Sequence, residues 1–88
     1  MKIEEVFSSK LRMKILRMLA EVGELNVSEI TRRLGANYET TSSHLKVLEE
    51  EQLVKQKTFG RIRLYRLNEQ SPRTRALKIL LESWEKEC

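Results

Sequence analysis

The sequence predicts a mainly α-helical domain with one small β-hairpin, an α+β fold. Three observations lead there. Apolar residues recur at helical spacing through most of the chain. Alternation of apolar or β-branched residues with charges is confined to VKQKTFGRIRLYRLN, residues 54–68. One proline and three glycines among 88 residues leave little room for long irregular segments. The length fits a single domain over residues 1–88, with no repeat, linker or low-complexity stretch. A core of this size is small, so a partner that buries further surface is expected.

The first helix is predicted to start after Ser8 or Ser9, both good caps. Leu11, Ile15, Leu16, Met18 and Leu19 share one face, and Gly23 is the stop. Lys10, Lys14 and Arg17 fall on the opposite face, where charge is ordinarily solvated. A short second helix lies in NVSEITRRLG. Asn26 and Glu29 stand at capping-box spacing, Val27, Ile30 and Leu34 form a narrow apolar stripe, and Gly35 suits a left-handed C-cap.

Only Gly35-Ala36-Asn37 separates this helix from the next, which spans 37–51 with Asn37 as cap. Helices joined by so short a turn cross steeply, which is a helix-turn-helix. Thr41, Leu45 and Leu48 stack on the inward side of the third helix. Glu39, Ser43 and Lys46 fall opposite, with Thr40 and Ser42 on the flanks. The outward face is therefore small at its N-terminal end, which lets the backbone approach another surface closely.

The alternating segment is read as a hairpin turning near Gly60. An isolated hairpin is only marginally stable, so this one must lean on the helices through Val54, Ile62, Leu64, Tyr65 and Leu67. Ser71-Pro72 then opens a last helix over about 71–87, with cap and N1 proline in the favoured order. Ala76, Leu77, Leu80, Leu81 and Trp84 give it a broad apolar face.

Lys and Arg outnumber Asp and Glu by 17 to 13, a formal net charge of +4. Distribution says more than the total. No acid lies between Gln52 and Asn68, whereas Lys55, Lys57, Arg61, Arg63 and Arg66 do. Acids gather at Glu49-Glu50-Glu51 and at Glu82, Glu85 and Glu87. A basic patch set against an acidic remainder points to a nucleic-acid partner. The single cysteine, Cys88, excludes an internal disulfide and a multi-cysteine metal site within one chain. It is read as inert, with an intersubunit disulfide as the alternative. No segment approaches a membrane span or a signal peptide, so a cytoplasmic, nucleoid-associated protein is expected. No nucleophile, base and orienter stand together, no glycine-rich phosphate loop is present, and neither enzyme activity nor a cofactor or metal is expected.

SSKLRMKILRML, VSEITRRLG, TTSSHLKVLEEEQLV and GRIRLYRLN, in that order and at that spacing, resemble the winged-helix repressors of the ArsR type. MarR-type and other archaeal winged-helix regulators share much of the pattern. The resemblance covers about residues 7–68. It implies a winged helix-turn-helix and a homodimeric transcriptional regulator, a repressor, bound to duplex DNA. Helix 37–51 would be the recognition helix in the major groove, and hairpin 54–67 a basic wing on the backbone or minor groove. Dimerisation through terminal helices implies Leu77, Leu80, Leu81 and Trp84, joined by Phe7 and its neighbours Ile3 and Val6. Packing of the C-terminal stripe inside the monomer is the alternative.

Three departures from the family pattern stand out. The closely spaced cysteines of metal-sensing members are missing from the recognition and terminal helices, so metal sensing is not carried over. Thr41 occupies a position that is usually aliphatic. Gln52 stands where glycine commonly precedes the Leu-Val of the wing, at a cost of roughly 1 kcal/mol if its φ is positive.

For phosphate contacts the candidates are Lys46, Arg61 and Arg63, then Lys57 and Arg33, with hydroxyl help from Thr40 and Ser42. For base edges they are Tyr38, Glu39, Thr40 and Ser43. No arginine, asparagine or glutamine lies on the outward face after the cap. Bidentate readout is thus scarce, and modest specificity resting partly on DNA shape is expected. An architectural DNA-binding protein of low specificity and a protein-interaction module remain alternatives. Arg61 and Arg63 either sample a minor groove or are plain hairpin charges. His44, the only histidine, is read first as a half-buried imidazole bonded to nearby backbone, with a DNA contact, metal ligation or pH sensing as alternatives.

Overall fold

Cap chemistry and periodicity place the helices where the chain can end them. In the computed structural model, which describes residues 1–86, the order is α1 Ile3–Val6, α2 Lys10–Val22, β1 Glu24–Asn26, α3 Val27–Leu34, α4 Tyr38–Glu50, β2 Val54–Phe59, β3 Ile62–Leu67 and α5 Pro72–Lys86. The expectations for Cys88 lie outside the described residues. Ser9 Oγ accepts from the Arg12 amide at 3.2 Å, Asn26 Oδ1 from Glu29 at 2.8 Å and Asn37 Oδ1 from Thr40 at 2.8 Å. Each satisfies one orphan donor of a first turn. Gly35 closes α3 in the left-handed region at φ 70°.

Two capping expectations are only half met. Glu29 does not return to the Asn26 amide, because its carboxylate is engaged by Arg32 and Arg33. Ser71 precedes Pro72 as expected, yet its hydroxyl is buried without a partner and caps nothing. Thr74 does more for that end of α5. It is fully buried, and its hydroxyl donates to the Gln52 carbonyl at 3.1 Å.

The hairpin is part of a three-stranded antiparallel sheet in the order β1-β3-β2. β1, which sequence reasoning did not anticipate, pairs Leu25 with Tyr65 and Asn26 with Leu64. α1 was likewise unforeseen. At three and four residues, neither is long enough to show a period. Val54, Tyr65 and Leu67 are buried and Leu64 half-buried, but Ile62 is exposed, so the hairpin leans on the helices only through its base.

The core joins Ile15, Leu16 and Leu19 of α2, Val27, Ile30 and Leu34 of α3, Leu45 and Leu48 of α4, the sheet base, Val6 and Leu77. Thr41 sits among these apolar residues, fully buried, because its hydroxyl donates back to the Asn37 carbonyl at 3.0 Å. That local bond removes the penalty of an unpaired buried hydroxyl. Gln52 has φ 64°, the strained conformation in which glycine is ordinarily favoured.

Leu77 corrects the expectation for the C-terminal stripe. It is 5% exposed and belongs to the monomer core, as Thr74 does one turn earlier. Leu81 and Phe7 are half-buried against the core. Leu80 and Trp84, together with Ile79, face solvent. Ile3, Val6, Phe7, Leu77 and Leu80 line an open apolar groove of about 400 Å³ between α1 and α5. Among the described residues no helix is long and apolar enough to cross a membrane.

Candidate nucleic-acid interface

The outward side of α4 is as open as its sequence implies. Tyr38, Glu39, Ser43 and Lys46 are exposed and Thr40 is partly so. Ser42 departs from expectation. Its hydroxyl oxygen is enclosed and without a hydrogen-bond partner, so it does not present itself to a phosphate. Its place one residue beyond Thr41 and three before Leu45 puts it on the shoulder of the buried stripe, where a small side chain is covered.

The hairpin sets the second half of the surface. β2 and β3 pair in register from Val54 with Leu67 to Phe59 with Ile62, leaving a two-residue turn of Gly60 and Arg61. Gly60 takes φ 64°, as the first turn position of a II′-type hairpin requires. Lys57 and Arg61 are exposed and enter no ion pair among the described residues, nor does Lys46.

Arg63 is half-buried, and its Nη2 donates to the Tyr38 hydroxyl at 2.9 Å. This bond, first among the influences that raise the Arg63 pKa, joins the wing to the first residue of α4. Arg63 thus has a positioning role besides its charge. Two pairs further in, buried Tyr65 donates to Gln56 Oε1 at 3.0 Å, and burial pushes its phenol upward.

Arg33 is less available than its sequence position suggests. Its Nε donates to Glu29 Oε1 at 2.9 Å, and Arg32 bonds the same carboxylate. Hydrogen bonds from Arg32 first and Arg33 second hold the Glu29 carboxyl at about 2. One carboxylate shared by two guanidiniums still leaves a net positive α3 terminus.

His44 is half-buried, but its partner is a side chain, not the backbone. Arg12 can only donate, so its Nη1, 3.2 Å from His44 Nδ1, makes that nitrogen the acceptor and the ring a neutral Nε2–H tautomer. Burial first and the Arg12 charge second lower the His44 pKa. Arg12 also donates to the carbonyls of Val6 and Glu5, each at 2.8 Å, linking α1, α2 and α4. Sequence reasoning missed Arg12, since nothing in the local pattern separates it from the other cations of α2. Among the described residues no group of three or more His, Cys, Asp or Glu is placed to hold a metal ion.

A helix-turn-helix whose second helix presents a small outward face, flanked by a basic hairpin fastened to its start, defines a winged helix-turn-helix DNA-binding domain. The family model of bacterial regulatory proteins, arsR family, matches residues 9–56, over half of the chain. The protein belongs to that family and is a DNA-binding regulator.

Solved structures agree. Reduced HlyU from Vibrio cholerae is 29% identical with a TM-score of 0.78, over 91% of this chain and 81% of its own. The homodimeric winged helix-turn-helix domain of Mb0332 from Mycobacterium bovis, a possible ArsR-family regulator, is 28% identical with a TM-score of 0.77, covering 94% and 74%. The transcriptional repressor BigR from Xylella fastidiosa is 25% identical with a TM-score of 0.79, covering 94% and 80%. No curated protein sequence matches the chain.

Proposed function

We propose that the protein is a homodimeric repressor that binds duplex DNA with sequence preference. α4 enters the major groove, with Tyr38, Glu39, Thr40 and Ser43 toward base edges. Lys46, Lys57 and Arg61 meet phosphates, and Arg33 and Arg63 add positive charge behind them. The observation that carries this reading is the Arg63–Tyr38 bond, which joins the wing to the start of the recognition helix. Dimerisation uses the groove between α1 and α5 and the exposed Leu80 and Trp84; the homodimeric state of Mb0332 supports it. The repressor assignment draws on the similarity to BigR.

A second reading, an architectural protein with little sequence preference, is favoured by the lack of arginine, asparagine and glutamine on the exposed face of α4. The test is a selection from random-core duplexes, followed by competition of the winning duplex against bulk DNA at fixed salt. A repressor yields one recurrent site that bulk DNA displaces poorly. Equal affinity for all duplexes contradicts the proposal.

A further inference from the structure

The far end of the wing carries a feature that phosphate binding does not use. Phe59 is 68% exposed and Ile62 49%, and the two are cross-strand partners immediately before and after the turn. Side chains alternate along a strand. Phe59, Ile62 and Lys57 therefore share one side of the ribbon, while Arg63 and buried Tyr65 lie on the side facing α4. The apolar pair has no part in the core. Its cationic neighbours are Arg61 in the turn and Lys57 two residues back, and the chain from Gln52 to Asn68 holds no carboxylate. An apolar tip between cations suits a polyanion with an apolar interior better than it suits a protein or water.

Dimensions agree. From the Gln56–Tyr65 pair to the tip is three residues, about 10 Å of strand, and the two strands stand about 5 Å apart. A minor groove is about 6 Å wide and about 7.5 Å deep. Two backbones side by side are too wide to enter it, so only the tip side chains reach in, and apolar side chains inserted from that groove pry base steps apart where stacking is weakest, at pyrimidine–purine steps.

We infer that Phe59, backed by Ile62, is a wedge that opens a base step in the minor groove, so that the wing reads DNA deformability while α4 reads base edges. This rests on the DNA-binding reading above and supplies the specificity that the plain face of α4 lacks. Unstacking leaves a kink toward the major groove, which opens the minor groove around the wedge.

The test runs the random-core selection with the full chain and with Phe59→Ala, Phe59→Leu and Arg61→Ala. 2-Aminopurine is then placed beside the enriched step of the selected duplex. The wild type is expected to enrich pyrimidine–purine steps at a fixed offset on each flank and to brighten the 2-aminopurine on binding. Phe59→Ala loses both and binds step-containing duplexes about tenfold more weakly, with no change on duplexes lacking the step. Phe59→Leu keeps most of the effect, and Arg61→Ala weakens both duplex types alike. Thermal midpoints stay equal, since Phe59 packs against nothing in the core. If the wild type binds without flank enrichment or without a 2-aminopurine response, or if Phe59→Ala matches it, the wedge is wrong while DNA binding stands. If the wild type binds no duplex, both readings fall.

Discussion

The wing and α5 are built alike and end differently. Each is rooted in the core, the wing by Val54, Tyr65 and Leu67, the helix by Thr74 and Leu77. Each then runs out into solvent. The wing ends in Lys57, Gly60 and Arg61 around Phe59 and Ile62, whereas α5 ends in Ile79, Leu80 and Trp84 interleaved with Glu82 and Glu85. Under the proposed function the same division serves opposite partners. One end matches a polyanion; the other, with Trp84 69% exposed, matches apolar surface of a second copy. Function in so small a domain is divided along the length of elements, root from end, rather than between elements.

Substitutions at root and end should therefore separate. The largest effect belongs to the root of α5. Leu77→Ala should cost about 2–5 kcal/mol in chemical denaturation, the range for a buried leucine. An unchanged unfolding midpoint would return Leu77 to the interface. At the end of the same helix, Leu80→Asp should move sedimentation from dimer to monomer while the unfolding free energy of the monomer stays within about 0.5 kcal/mol. A variant that remains dimeric would place the interface elsewhere.

Smaller effects belong to the wing. Arg61→Ala at the wing end removes one phosphate contact from each copy, so it should weaken binding to all duplexes about equally and reduce the salt slope by about 2, with stability unaltered. Gln52→Gly at the wing root should stabilise by roughly 0.5–1 kcal/mol, since its φ of 64° favours glycine and the gain is offset by a freer unfolded chain. The smallest effect concerns His44. Its folded pKa lies below the ordinary 6.5, so the unfolded chain binds the proton more readily. Its contribution is intact above pH 6.5 and is lost as pH falls through the folded value. Melting curves of the wild type should show this small acid-side loss, and His44→Gln should remove it.

The roots were more legible in the sequence than the ends. Periodicity exposes burial, so Ile15, Leu16, Ile30, Leu45, Leu48 and the caps Asn26 and Asn37 could be assigned from the sequence, whereas the first cap stayed open between Ser8 and Ser9 until the Ser9 hydroxyl was seen to accept from Arg12. Leu77 could not, because an apolar stripe looks the same whether it meets its own core or another chain. Two short elements, α1 and β1, escaped for want of a period, and β1 acquires its identity only by pairing with β3. In the candidate site, exposure of Tyr38, Glu39, Ser43, Lys46, Lys57 and Arg61 was legible from helix and strand geometry. Side-chain engagement was not: Ser42 turned inward, Arg33 bonded to Glu29, and Arg63 bonded to Tyr38 depend on rotamers and on partners 4 to 25 residues away.

If α4 and the wing form one cationic surface for duplex DNA, binding must depend steeply on salt. With Lys46, Lys57 and Arg61 contributed by both copies of a dimer, about six phosphates are neutralised, and a plot of log affinity against log salt for a labelled duplex should fall with a slope of about −5. A flat plot, or affinity that salt leaves unchanged, would contradict the account.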